Sequence, residues 1–358
     1  ARRLKHLNEY CKKSFKLRKY NNLVEALYLS KMLRILSGIL IFTLRVTSDH
    51  RIVKKFTLSG LICYLLWYSL YFYATYKAHE EDQTILRSIY STKVQRYGDD
   101  FERISSSVYV VFTMWKIPYS VSCNICFMGI MVDVDKEFEN LGEIINYNRD
   151  AQSALNISVG LLVICLMRLS SIFITLDNLN IPIPKERIYQ VIYSDSMAGI
   201  STAHFCFFLI VIRRRFKYIN KVLEDIKSHK SWEYKLFVRG HMSANIQKAS
   251  GLQDRYICEK IKACAKIYGM LHKVVYATNR MFGIMVMMTT LLCLSYIILY
   301  MFYFMEATAG GLFHDVHRYV AFIVYVFWQI GFSMGIIFLT VYVCECAMDE
   351  VNISFVHF

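Results

Sequence analysis

Six stretches of this chain are apolar over a bilayer-spanning length: 57–78, 105–132, 152–176, 188–212, 281–304 and 319–343. A helix needs about 20 mostly apolar residues to cross the hydrocarbon core. A chain that is 55% hydrophobic and 15% aromatic has too little polar surface to cover itself as a soluble domain. Only 3 prolines and 15 glycines in 358 residues favour continuous helices. The expected fold is all-α and polytopic, with six transmembrane helices. Its chemistry is to be sought in an intramembrane cavity, a pore or a ligand pocket.

The net charge of +14 suggests nucleic acid at first sight, but its distribution points to a membrane surface. Residues 1–56 hold 14 Lys/Arg against 3 acids, and 213–267 hold 14 against 5. Residues 79–104 hold 4 against 6, and 305–318 one against two. Lys and Arg concentrate in cytoplasmic segments. The N-terminus, the 213–267 linker and the C-terminus are therefore expected in the cytoplasm, with the basic face against anionic lipid and no nucleic-acid partner. One segment breaks the pattern: 133–151 should be cytoplasmic, yet carries 6 acids and 2 bases.

The chain divides into a cytoplasmic or interfacial arm (1–56), four spans (57–212), a cytoplasmic helical linker (213–280), two spans (281–343) and a tail (344–358). Residues 1–22 are basic, without the apolar core of a signal peptide. Residues 23–46 are amphipathic, interrupted by Lys31 and Arg34, and read as an interfacial segment. In the linker Phe216, Ile219, Val222, Leu223 and Ile226 recur at helical spacing, so the spans are expected to run on as long helices. The 11 cysteines are scattered; Cys123 and Cys126 have no second pair to complete a zinc site, and no metal or cofactor is expected.

Ionisable groups inside spans are costly and usually face a cavity or a partner. Lys116, Arg168, Asp195 and His204 qualify. At 1.5 Å per residue, Arg168 lies about 12 Å and Asp195 about 10 Å below the outer ends of their spans, a shared depth. Either a buried structural pair or a ligand-facing pair satisfies that placement. Aromatic and amide groups fall at similar depth. Tyr325, Trp328 and Gln329 share a face of the sixth span, Tyr296 and Tyr300 a face of the fifth, and Phe112 and Trp115 a face of the second; Tyr193 lies on the fourth. Flat aromatic faces with amides and charges suit a sugar, whereas the bland reading of such stripes is packing. The candidate ligand residues are Trp328, Gln329, Tyr325, Asp195, Arg168, Tyr193, Tyr296 and Trp115.

The last third of the chain carries Arg215, Phe216, Ile219, Asn220 and Leu223 in RRRFKYINKVLEDI, and Cys344 or Cys346, Ala347 and Glu350 in LTVYVCECAMDEV. On these residues it resembles the insect gustatory receptor family. The resemblance extends over 45–358. It implies a plasma-membrane taste receptor with a cytoplasmic N-terminus, working as a ligand-gated cation channel, as a homotetramer or with related subunits. A sugar such as fructose is the favoured tastant; a bitter- or odorant-sensing subunit is the alternative, and a secondary transporter a more distant one. The family's seventh, pore-lining helix, ending in T-Y-(five apolar)-Q-F, finds no match here. No span holds an HxxxD, GxSxG or HExxH constellation, so an enzyme is not expected. No internal repeat favours a transporter, and Pro118 alone interrupts a span.

Overall fold

The computed structural model describes residues 20, 22–46, 52–89, 91, 93–238 and 244–357. Most of the basic arm lies outside the described residues. The first elements are two short helices, α1 (Leu23–Ala26) and α2 (Tyr28–Leu36). Asn22 caps α1, its Oδ1 accepting from Glu25 N at 2.8 Å. The amphipathic stretch expected through residue 46 stops being helical at Leu36. Gly38 takes a left-handed φ of +75°, which ends the helix. Phe42–Val46 (β1) then pairs antiparallel with Ile52–Phe56 (β2), with Phe42 opposite Phe56 and Val46 opposite Ile52. Both strands carry the β-branched and aromatic residues that suit a pleated surface, and the Phe42 and Phe56 rings meet edge to face at 5.8 Å.

The remaining helices carry the apolar stretches. They are α3 (Leu58–Glu80), the short α4 (Leu86–Ile89), α5 (Lys93–Asn140), α6 (Tyr147–Asn178), α7 (Lys185–Val238), α8 (Ala244–Ala309) and α9 (Val316–His357), with a 3-10 turn at Leu312–His314. Five are long and apolar enough to cross a membrane. The sixth, α5, bends by 59° between Lys116 and Val121 and counts as one broken span. The sequence places Pro118 at that bend, and a proline lacks the N–H that a helical ladder needs. The six expected spans are thus the six long helices.

Alternate loops gather at opposite ends of the bundle. The hairpin end holds β1–β2, the 141–146 turn and the C-terminus of α9. The far end holds the turns at 81–85, 179–184 and 310–315. The linker is no separate unit among the described residues: α7 runs through to Val238 and α8 begins at Ala244.

Helix α7 is the axis. Of its apolar window 67% is buried, against 17% to 22% for α3, α6 and α8. Outward faces keep large apolar side chains such as Leu65, Leu162, Ile298 and Phe338 exposed, which is the pattern lipid requires and water penalises. Hairpin-end packing centres on Phe127 stacked with Phe208 at 4.1 Å, and far-end packing on Tyr300, Tyr303, Phe322 and Tyr325. The α1–β1 segment wedges against this frame. Trp67 Nε1 donates to Leu36 O at 2.6 Å, and a Cβ on Gly60 would lie 2.5 Å from Leu40 O, so only glycine permits that approach.

Candidate ligand site in the far half and a charged lock at the hairpin end

Three spans meet at Arg168. From α6 its guanidinium forms an ion pair with Asp195 on α7 and donates to Gln329 Oε1 on α9. It also lies over the Phe332 ring at 5.0 Å. Arg168 and Gln329 are each only 2% exposed, so this contact is fully interior. The shared depth of Arg168 and Asp195 is realised as direct pairing, and Gln329 joins them. Trp328, one residue away, is half-buried, and its Nε1 is buried with no hydrogen-bond partner.

A second polar layer lies towards the far end. Arg187 forms an ion pair with Glu102 at 3.4 Å and donates to Gln190 Oε1 at 2.6 Å. Tyr300 OH donates to Glu102 Oε2 at 3.1 Å, and Tyr296 and Ser105 share a hydroxyl contact at 3.0 Å. Tyr325 packs on Tyr300 with ring centroids 6.2 Å apart. Tyr296, Tyr325, Gln329, Arg168 and Asp195 thus belong to one buried assembly.

Two candidates lie elsewhere. Tyr193 faces α3, tilted against Tyr71 at 5.4 Å and stacked with Tyr189 at 5.8 Å and Trp67 at 6.3 Å. Trp115 does not enter the cluster: it is 72% exposed and borders a cavity with Lys116, Lys273 and Arg280. Helical spacing put Phe112 and Trp115 on one face, but α5 turns Tyr109, Val110 and Thr113 inward instead. Sequence reasoning missed Glu102, Arg187 and Gln190. Glu102 and Arg187 flank the apolar stretches, outside the window searched for intramembrane charges; their opposite signs at neighbouring span ends were the available signal.

The hairpin end holds a different assembly. Arg215 on α7 reaches Asp135 at 3.1 Å and Asp150 at 2.7 Å. Arg214 also pairs with Asp150 and donates to Ser153 Oγ at 2.6 Å, and Tyr147 OH donates to Asp135 Oδ2 at 3.0 Å. Asn220 Nδ2 donates to Glu350 O at 3.0 Å, tying α7 to α9. Lys266 pairs with Glu137 at 2.6 Å and Lys221 with Glu143 at 3.6 Å. Four of the six acids of 133–151 that broke the charge rule (Asp135, Glu137, Glu143 and Asp150) are therefore counter-ions of the basic block on α7 and α8.

A bundle of spans with lipid-facing apolar exteriors, a polar assembly enclosed among its helices and a charged lock at one end is the architecture of a multi-pass membrane protein. Residues 56–353 match the family model described as the 7tm chemosensory receptor, and the chain belongs to that family. This is a family of receptors, not of enzymes. No curated protein matches the chain.

Proposed function

We propose that this receptor is a taste receptor subunit that acts as a ligand-gated, non-selective cation channel in the plasma membrane. Its hairpin end and N-terminus face the cytoplasm, and a small extracellular ligand, a sugar, binds in the far half at Arg168, Asp195, Gln329, Trp328, Tyr325 and Tyr296. The observation that supports this most is the meeting of Arg168, Asp195 and Gln329 from three separate spans, beside a buried indole N–H with no acceptor. A sugar offers ring hydroxyls for the amide, carboxylate and guanidinium, a hydroxyl oxygen for Trp328 Nε1, and C–H faces for the tyrosines.

The assembly is tightly packed, so binding requires the three spans to separate slightly. A ligand that contacts the separated arrangement better than the packed one shifts the population towards it. Gating follows if the separated arrangement is the conducting one. The paired acids and bases of the hairpin end support a cytoplasmic orientation there, since they account for four of the six acids in the one segment that broke the charge rule.

The test is cation influx in cells expressing the full-length receptor, challenged with a panel of sugars, bitter compounds and odorants. A response to one sugar supports the reading. A response to bitter compounds or odorants alone moves the ligand class. Silence with the protein at the surface requires a partner subunit or another activity.

A further inference from the structure

Among the described residues, Arg34 is a cation without a counter-ion. It sits on α2, where the chain wedges between α6 and α7, and among the described residues no carboxylate forms an ion pair with it. Its side chain bonds to His204 on α7, with Nη1 donating to Nε2 at 2.8 Å. A guanidinium can only donate, so Nε2 accepts and the ring proton of this neutral histidine sits on Nδ1. His204 is 7% exposed, and that Nδ1 has no hydrogen-bond partner. The pair thus offers one buried N–H without an acceptor, His204 Nδ1, beside a guanidinium charge. Burial lowers the Arg34 pKa to about 10, so the charge persists at neutral pH.

Both residues line a cavity of about 290 Å³ between α2, α6 and α7. Its wall is mostly apolar, with Leu33, Ile157, Leu161, Leu162 and Phe207, and hydroxyls at Ser158 and Ser196. From His204 to Ser196 it follows α7 for about 12 Å. At its farther end Cys165 and Ser196 approach to 3.6 Å, beside Asp195. A half-buried cation with no ion-pair partner is costly, and an anion delivered with its own apolar body relieves that cost.

We infer that this cavity binds a single-chain amphiphile with an anionic head, a carboxylate or phosphate monoester that accepts from Arg34 and His204 while its acyl chain fills the space towards Ser196. The site is separate from the far-half ligand assembly, and its occupancy fills the space directly next to Asp195.

The test uses purified, delipidated full-length receptor in non-ionic detergent, with radiolabelled oleate, 1-oleoyl lysophosphatidate and oleyl alcohol as probes in equilibrium binding. Saturable binding of one anion per subunit is expected, at least about 10-fold tighter than the alcohol of equal chain length. Whichever anion binds tighter identifies the source, free fatty acid or lipid phosphate. Arg34→Gln should abolish the preference over the alcohol. Ser158→Phe, which leaves Arg34 in place, should weaken all three probes and keeps the test available if Arg34→Gln does not fold. Equal binding of oleate, lysophosphatidate and oleyl alcohol, non-saturable uptake only, or full binding in Ser158→Phe would each overturn the assignment.

Discussion

Arginine is buried at both ends of this bundle, but in opposite circumstances. Arg215 meets two carboxylates, one further supported by a tyrosine hydroxyl and the other by a second arginine. Arg168 has one carboxylate, an amide and an aromatic face, and its neighbour Trp328 keeps an N–H without an acceptor. The first arrangement is saturated and holds α5, α6 and α7 in register. The second retains hydrogen-bonding capacity, which a ligand can use. Buried charge alone does not mark a site; incomplete satisfaction does.

The largest expected effect comes from breaking the saturated end. Arg215→Met leaves Asp135 and Asp150 buried without their shared partner, a loss of about 3–5 kcal/mol. The variant should fail to give a monodisperse, thermally stable receptor by fluorescence-detected chromatography. Wild-type melting behaviour would remove the distinction between lock and site. In the far half, Gln329→Ala should abolish the ligand response, or shift its midpoint by at least about 10-fold, while surface labelling persists. An unchanged dose–response takes Gln329 out of the pocket. Trp328→Phe keeps an aromatic ring but removes the orphan N–H. It should shift the midpoint by roughly 5-fold, equivalent to about 1 kcal/mol, and no shift would mean the ligand leaves that donor unused. Lys266→Ala deletes an exposed pair with Glu137 and should lower stability by less than about 1 kcal/mol in a melting assay. Trp115→Ala should leave the dose–response where it was; a clear loss would show that the exposed face of α5 also serves the ligand.

Much of this was legible in the sequence. Six apolar stretches became six long helices, because lipid leaves a backbone few other ways to satisfy itself. The shared depth of Arg168 and Asp195 followed from rise per residue; that they pair directly came from the structure. What failed was facing. Spacing says which residues share a face, not which face turns inward, so Trp115 was grouped with residues it never meets. Glu102 and Arg187 escaped because a window set by apolarity excludes the charged ends where spans pair. The segment read as amphipathic and interfacial through residue 46 is helical only to Leu36 and then becomes a hairpin strand, where Gly38 and the β-branched residues outweighed the amphipathic period.

The unbroken course of α7 has a mechanical consequence. Its 54 residues form a rod about 80 Å long, more than twice the hydrocarbon thickness of a bilayer. Asp195 sits near one end, and Arg214 and Arg215 lie past its middle. A tilt of roughly 5° about the far end carries Val238 sideways by about 7 Å. The helix is a lever: the same tilt moves Asp195, 10 residues from the pivot, by only about 1.3 Å, so a small adjustment there arrives at Val238 about five times larger.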